Sequence, residues 1–484
     1  MPLASQHLAS AGPTPSLSLA AILRLGLFQG CLGCLAVIFS GLLNRVMLSE
    51  LGFPGLLVGF ALACEQFVAP ARVLFGQISD ARPIAGRHRV PYVLLGTALF
   101  CSLAVLSIPL IFRVGALINL GAQPALALSV AALCGLFALY GLAISLATTP
   151  YLALVIDRTS ESERPRAVGI IWCMLTVGIV VGALMIGTSL SSLDGIRDPL
   201  LLERGLSTFM LRVAVVVFLL TLLATWGMES PRLAELPMRA MDQSGEPRGR
   251  EDAVTFRQAW SLIRSSRQVL IFFSFLVLFT LGLFLQDPVL ESYGAQVFAM
   301  PIAATAQLNA FWGIGTLAGL LGAGLLIVPR LGKLAAARLG CRLISLSLLA
   351  LLLCGLSGSV PLLKLVMFLF GLSAGLATNS ALCLMLDLTL PEVAGTFVGV
   401  WGLAQALSRA LGKVIGGGLL DLGRLLPGLP LGRVAEAYPP FALVLLVECL
   451  VSVAALIVLE RVNIRQFRED TGSRLDQVLL AETL

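Results

Sequence analysis

A chain of 484 residues in which 58% are apolar and 12% charged is not an ordinary soluble domain, where about a quarter of residues carry charge. The net charge of +6 is carried by arginines between apolar runs, a topological signal and not a nucleic-acid surface. Ten cysteines, all inside apolar runs, argue against both a disulfide framework and a zinc site.

Residues 1–20 form a polar tail without the basic leader of a cleavable signal. Crossing ~30 Å of hydrocarbon takes about 20 residues at 1.5 Å each. Runs of that size predict twelve membrane helices, at 21–43, 55–78, 91–111, 125–156, 167–190, 208–228, 268–286, 305–328, 339–357, 361–386, 394–419 and 439–459. The polar stretch 229–267 divides them into an N-terminal half, 21–228, and a C-terminal half, 268–460, followed by the tail 461–484. Within that linker, Phe256, Trp260, Leu262 and Ile263 recur at helical intervals and predict a short interfacial helix.

Placing both termini in the cytoplasm leaves twenty Lys and Arg on that side of the membrane against six on the other. The positive-inside rule selects this orientation. Asn44, Arg45 and Glu50 read as a polar turn between spans one and two. Span two carries Glu65, Gln66 and Arg72 around Pro70, where a kink is predicted. Ionisable groups at such depth are costly and face a bundle interior, either lining a cavity or pairing between helices. Span seven ends in Gln286, Asp287 and Glu291, the two acids four residues apart and so on one helical face. Arg409 and Lys413 share a face of span eleven, and Glu448 sits alone in span twelve.

Tyr140 to Thr159 and Phe370 to Thr389 align without a gap, with nine of twenty positions identical. The register persists to Gly182 and Gly187 against Gly412 and Gly417. Spans four and ten, and five and eleven, are thus copies. An even offset of six spans gives the copies one orientation, a parallel repeat about an axis along the membrane normal. The predicted fold is an all-α membrane protein of the major facilitator type, twelve helices in two parallel six-helix halves.

Gly76-Gln-Ile-Ser-Asp80 and Gly86-Arg87-His88-Arg89 join spans two and three. They resemble the signature loop of the major facilitator superfamily, with a longer spacer after Asp80. The resemblance implies a conformational latch of Gly76, Asp80, Arg87 or Arg89, and Asp157 at the end of span four, with Asp387 its repeat counterpart. The alternative is a loop of solvated charges.

Three blocks are more specific: Asn44-Arg45-Val46-Met47 leading to Glu50-Leu51-Gly52-Phe53-Pro54; Gln286-Asp287 followed by Leu290-Glu291 and Tyr293-Gly294; and Trp401-Gly402-Leu403-Ala404-Gln405-Ala406. Together they resemble the PucC-like, or bacteriochlorophyll delivery, branch of that superfamily. Ser292, where the branch usually has Pro, and Pro288, which interrupts the second block, are departures that touch local geometry. The resemblance implies a non-enzymatic factor for assembling photosynthetic pigment–protein complexes. Its cargo would be chlorophyll or bacteriochlorophyll. Its partners would be the bilayer, light-harvesting or photosystem subunits and pigment-synthesis enzymes, with no nucleic acid. Its place would be a photosynthetic membrane: inner, intracytoplasmic or thylakoid. It also implies site residues Asn44, Arg45, Glu50, Glu65, Gln66, Arg72, Gln286, Asp287, Glu291, Trp401 and Gln405. Histidine is absent from the spans, so an axial ligand to a magnesium tetrapyrrole would come from elsewhere, with Asn44, Gln66, Gln286, Asn379 and Gln405 available. No protein metal site or catalytic motif is read. The residues alone also fit a proton-coupled transporter using Glu65 or Asp157, or a scaffold for nascent antenna polypeptides that moves nothing.

Overall fold

A computed structural model describes residues 18–121, 123–159, 164–191, 198–229, 267–387, 394–425 and 434–463. The predicted interfacial helix around Phe256–Ile263 and most of both tails lie outside the described residues. The helices are α1 (Leu19–Val37), α2 (Gly55–Phe67), α3 (Ala71–Ala81), α4 (Val90–Leu120), α5 (Gln123–Arg158), α6 (Arg164–Ser189) and α7 (Pro199–Thr225), then α8 (Arg267–Phe284), α9 (Leu290–Val297), α10 (Ile302–Gly322), α11 (Lys333–Ser357), α12 (Val360–Asp387), α13 (Ala394–Gly423) and α14 (Val434–Glu460). Among the described residues, ten helices are long and apolar enough to cross a membrane. The broken pair α2–α3 and the long α13 complete twelve crossings.

Local chemistry sets the ends. The Ser18 hydroxyl accepts from Ala21 N at 3.2 Å, and Asp198 accepts from Leu200 N at 3.0 Å ahead of Pro199, each satisfying a helix N–H that has no partner within its own helix. Gly121 and Gly358, with φ of 65° and 61°, end α4 and α11 in the left-handed region open to glycine.

Two spans are broken, each at a proline, which lacks an N–H and whose ring clashes with the carbonyl four residues back. Span two turns at 68–70, where Pro70 leads into α3. Span seven turns at 285–289, around Pro288, between α8 and α9. The latter corrects the expectation that Asp287 and Glu291 share a helical face: Asp287 lies in the turn and Glu291 in α9. Span one differs in the other direction. After α1 the chain continues through π-helical turns Ile38–Leu43 and Val46–Glu50. Asn44, Arg45 and Glu50 therefore belong to one helix of 32 residues and not to a turn between spans.

The helix pairings repeat. In the first half α1 packs on α6 and α7, α2 and α3 on α5, and α4 on α5 and α7. In the second, α8 packs on α13 and α14, α10 on α12, and α11 on α12 and α14. Advancing each first-half helix by six crossings generates the second set. The halves meet where α2 packs on α13 and α6 on α10, and these two contacts exchange under the same operation. The fold is thus two parallel six-helix halves of the major facilitator type. Leucine and valine face outward, Leu211 at 54% and Leu219 at 56% exposure among them, as lipid-facing positions should.

Twelve crossings bring Leu19 and Glu460 to one end of the bundle, here the terminus-bearing end. The far end carries 51–54 and 298–301.

Candidate inter-half cavity and far-end seal

Breaking a helix inside a membrane frees backbone groups that water cannot reach, so neighbouring side chains must pair with them. At the break in span seven, Asn44 Nδ2 donates to Pro288 O at 2.6 Å and to Asp287 O at 3.3 Å. Glu448 Oε1 accepts from Gln286 N at 3.3 Å. Asn44 and Glu448 are fully buried. One residue on, the buried Arg45 donates to Thr305 Oγ1, to Met300 O at 3.1 Å and to Glu50 Oε1 at 3.4 Å. Glu291, 2% exposed, accepts from Asn309 Nδ2 at 2.6 Å. Gly41 faces it so closely that a Cβ there would overlap the carboxylate. Ser49 donates to Ser292 Oγ at 3.0 Å, so the serine that departs from the family pattern joins the polar seam.

The α2–α13 contact extends the seal. Asp421 accepts from Gly55 N and Leu56 N, both at 2.7 Å, capping α2 with a carboxylate from the other half. A Cβ at Gly55 or Gly59 would overlap the carbonyl of Gly417 or Lys413. Glycine is what lets these backbones meet. Every hydrogen bond described between the halves lies in this far-end layer. The structure is therefore sealed at the far end, with no hydrogen bond holding the halves together at the other end among the described residues.

Deeper between the halves lies a charged layer. Lys413 Nζ stands 3.9 Å from Asp287 Oδ2. Arg409 sits over the Phe284 ring at 4.4 Å, and its charged neighbours are Asp287, Arg72 and Glu65. Gln66 donates to Glu65 Oε1 at 3.0 Å. Acids and bases from spans two, seven and eleven thus face one another. Trp401 and Gln405 lie further along α13 toward the terminus-bearing end, four residues and one turn apart. The Trp401 Nε1 is buried without a partner, and among the described residues no hydrogen bond engages the half-buried Gln405.

At the terminus-bearing end the signature loop folds onto the first half. Arg89 pairs with Asp80, donates from Nε to Asp157 Oδ2 at 3.1 Å and from its guanidinium to Ser79 Oγ at 2.8 Å. Burial opposes the Arg89 charge, but Asp80 and Asp157 outweigh it and hold the guanidinium above its ordinary pKa. Of the two arginines offered by sequence, Arg89 makes these pairs. Arg87 contributes its backbone, exchanging hydrogen bonds with Ile84 at 2.9 and 3.1 Å. Gly76 faces Thr149 across the contact with α5. Asp387 ends α12, its side chain outside the described residues.

Asn44, Arg45, Glu50, Gln286, Asp287 and Glu291 converge on the far-end seam, and Glu65, Gln66 and Arg72 border the charged layer. Trp401 and Gln405 stand apart from both. Sequence reasoning missed Asn309 and Thr305, the Asp421 cap, and Glu229, whose carboxylate accepts from His88 N at 2.6 Å, Arg89 N at 3.0 Å and Val90 N at 2.8 Å. The Leu-Asp-Leu-Gly-Arg sequence around Asp421 was the one available signal, a charge at the end of an apolar run.

The chain is similar to known proteins. A family profile described as PUCC protein matches residues 42–467. "Protein PucC" of Rhodovulum sulfidophilum is 30% identical over 435 residues, covering 87% of this chain and 92% of the relative. "Bacteriochlorophyll synthase 44.5 kDa chain" of Rhodobacter capsulatus is 31% identical over 409 residues, covering 84% and 88%. Among solved structures, a bacterial homologue of the iron transporter ferroportin in an inward-facing state superposes with a TM-score of 0.66 at 14% identity, over 93% of this chain and all of that one. That likeness concerns the fold. Seam, charged layer and signature loop all fall within the matched residues, and the chain belongs to the PucC protein family.

Proposed function

We propose that this protein is an integral-membrane assembly factor for photosynthetic pigment–protein complexes, one that takes up chlorophyll or bacteriochlorophyll and presents it to newly inserted light-harvesting or photosystem polypeptides. The observation that carries this reading is the extent of the family match, which takes in nearly all of the membrane-spanning helices and not a single motif. One relative named for bacteriochlorophyll synthesis fits the same pathway.

The geometry supports a binding role without covalent chemistry. A far end closed by paired groups leaves the terminus-bearing end as the route in. The basic loops at that end favour a cytoplasmic position for it and for both termini, by the positive-inside rule. Pigment made by cytoplasmic or membrane-bound enzymes would enter there. Of the five carboxamides open to a magnesium tetrapyrrole, Asn44 and Gln286 are buried within the far-end seam, where a macrocycle cannot reach their oxygens, the Asn379 oxygen accepts from Cys383 Sγ at 4.0 Å, and Gln66 is drawn to the Glu65 carboxylate. Gln405, one helical turn from Trp401 and half-buried on the terminus-bearing side of the charged layer, is the carboxamide we assign to the central magnesium.

A deletion strain tests the proposal. Loss of antenna absorbance while free pigment still accumulates, restored by the wild-type gene, is the expected result. Normal antenna assembly in the deletion, together with solute uptake by the purified protein in proteoliposomes, would favour a proton-coupled transporter.

A further inference from the structure

Away from the contact between the halves, a polar feature among the described residues faces lipid. Between the far-end parts of α6 and α7 lies a groove of about 490 Å³, walled by Met185, Leu190, Phe209 and Val213 and carrying Arg204 and Arg212. Its size falls within the range of small-molecule sites, roughly 300–1,000 Å³. The arginines are eight residues apart, two turns and a little more, so they stack along one face of α7. Both are exposed. Neither guanidinium has an ion-pair or hydrogen-bond partner among the described residues; the Arg204 carbonyl accepts from Thr208 Oγ1 at 2.9 Å. No described lining residue is acidic, and the nearby Asp198 is spent on Leu200 N.

Depth makes the pair informative. Trp226, 70% exposed, is the kind of residue that marks a membrane interface. About 20 residues, or ~30 Å, back along α7 the hydrocarbon ends near Leu206. Arg204 then lies at headgroup level and Arg212 roughly 9 Å inside, within reach of the surface for a snorkelling side chain. Two unpaired guanidiniums at this boundary, above an apolar slot, complement a phosphate with acyl chains below it.

We infer that this groove binds an anionic phospholipid of the far-end leaflet, its phosphate held by Arg204 and Arg212 and one acyl chain seated against Phe209 and Val213. The site is separate from the seam and charged layer between the halves and stands independently of the function proposed above.

The test reconstitutes wild type, R204Q/R212Q and R204K/R212K into vesicles of phosphatidylglycerol or of phosphatidylcholine, then measures retained lipid by native mass spectrometry. Matching elution volumes on size exclusion establish that all three fold. The wild type should retain phosphatidylglycerol over phosphatidylcholine. R204Q/R212Q should lose at least about tenfold of that retention, as expected when charge-assisted hydrogen bonds are removed, and R204K/R212K should keep most of it. Equal retention by the Gln variant, equal retention of phosphatidylcholine by wild type, or displacement of the lipid by millimolar inorganic phosphate would overturn the inference. So would photo-crosslinking from Thr208 that captures a polypeptide in place of lipid.

Discussion

Replacing Asp421 by Ala should open the far end. The carboxylate takes two N–H groups at the start of α2, each at 2.7 Å, and no other described side chain from the second half reaches those donors. Hydrogen bonds to a charged acceptor contribute about 1.5–3 kcal/mol each. Asp421 is 29% exposed and Leu56 faces outward, so water replaces part of the loss and the low end applies, about 3 kcal/mol for the pair. That shifts the ratio of closed to open far end by roughly 100-fold. Arg424, the partner of Asp421 at 3.1 Å and itself 38% exposed, becomes solvated and adds no penalty. Spin labels at Leu120 and Leu425, both at the far end and 76% and 81% exposed, report the separation of the halves by pulsed electron spin resonance in a background lacking native cysteines. A new, longer distance population in Asp421→Ala is expected. A distribution unchanged from wild type would refute the assignment of this cap as a tie between halves.

Other perturbations probe the remaining parts. Gly41→Ala sets a methyl against the Glu291 carboxylate and should destabilise by about 1–3 kcal/mol, the usual cost of overpacking, read as a lower melting temperature in detergent. Arg89→Ala removes the contacts to Asp80, Asp157 and Ser79 and should expose the Arg87–His88 bond to trypsin, whereas Arg87→Ala should leave cleavage after Arg89 near the wild-type rate; equal effects would contradict the pairing seen. Glu229→Ala frees three N–H groups at the start of α4 and should cost about 1–2 kcal/mol, as loss of an N-terminal cap does, with faster amide exchange confined to the residues around 88–92.

Much of the architecture was legible because hydropathy and repetition are properties of the chain itself. A 30 Å hydrocarbon layer imposes run length, and duplicated glycines and acids betray duplicated helices. Pro70 announced its break in span two because proline acts on its own backbone. The span-seven break was harder to foresee: Pro288 signalled disturbance, but whether Asp287 stayed on the face of Glu291 depended on Asn44 and Glu448 being present to take the freed groups. The polar triad at 44–50 was misread for a related reason. Polar residues at the end of an apolar run look like a turn until the partners that bury them, Thr305, Met300 and the Pro288 carbonyl, are known. Those partners lie more than 240 residues away in sequence, and no local pattern carries that information. The caps from Asp421 and Glu229 were invisible for the same cause.

Pigment bound to the purified protein tests the assignment most directly. Extracted in mild detergent from cells making (bacterio)chlorophyll, the wild type should carry tetrapyrrole in stoichiometric amount, visible in its absorption spectrum, and Gln405→Leu should carry much less while eluting at the same volume. A pigment-free wild type prepared from such membranes, or full retention by Gln405→Leu, would contradict the account: the first the delivery role itself, the second the place assigned to the cargo.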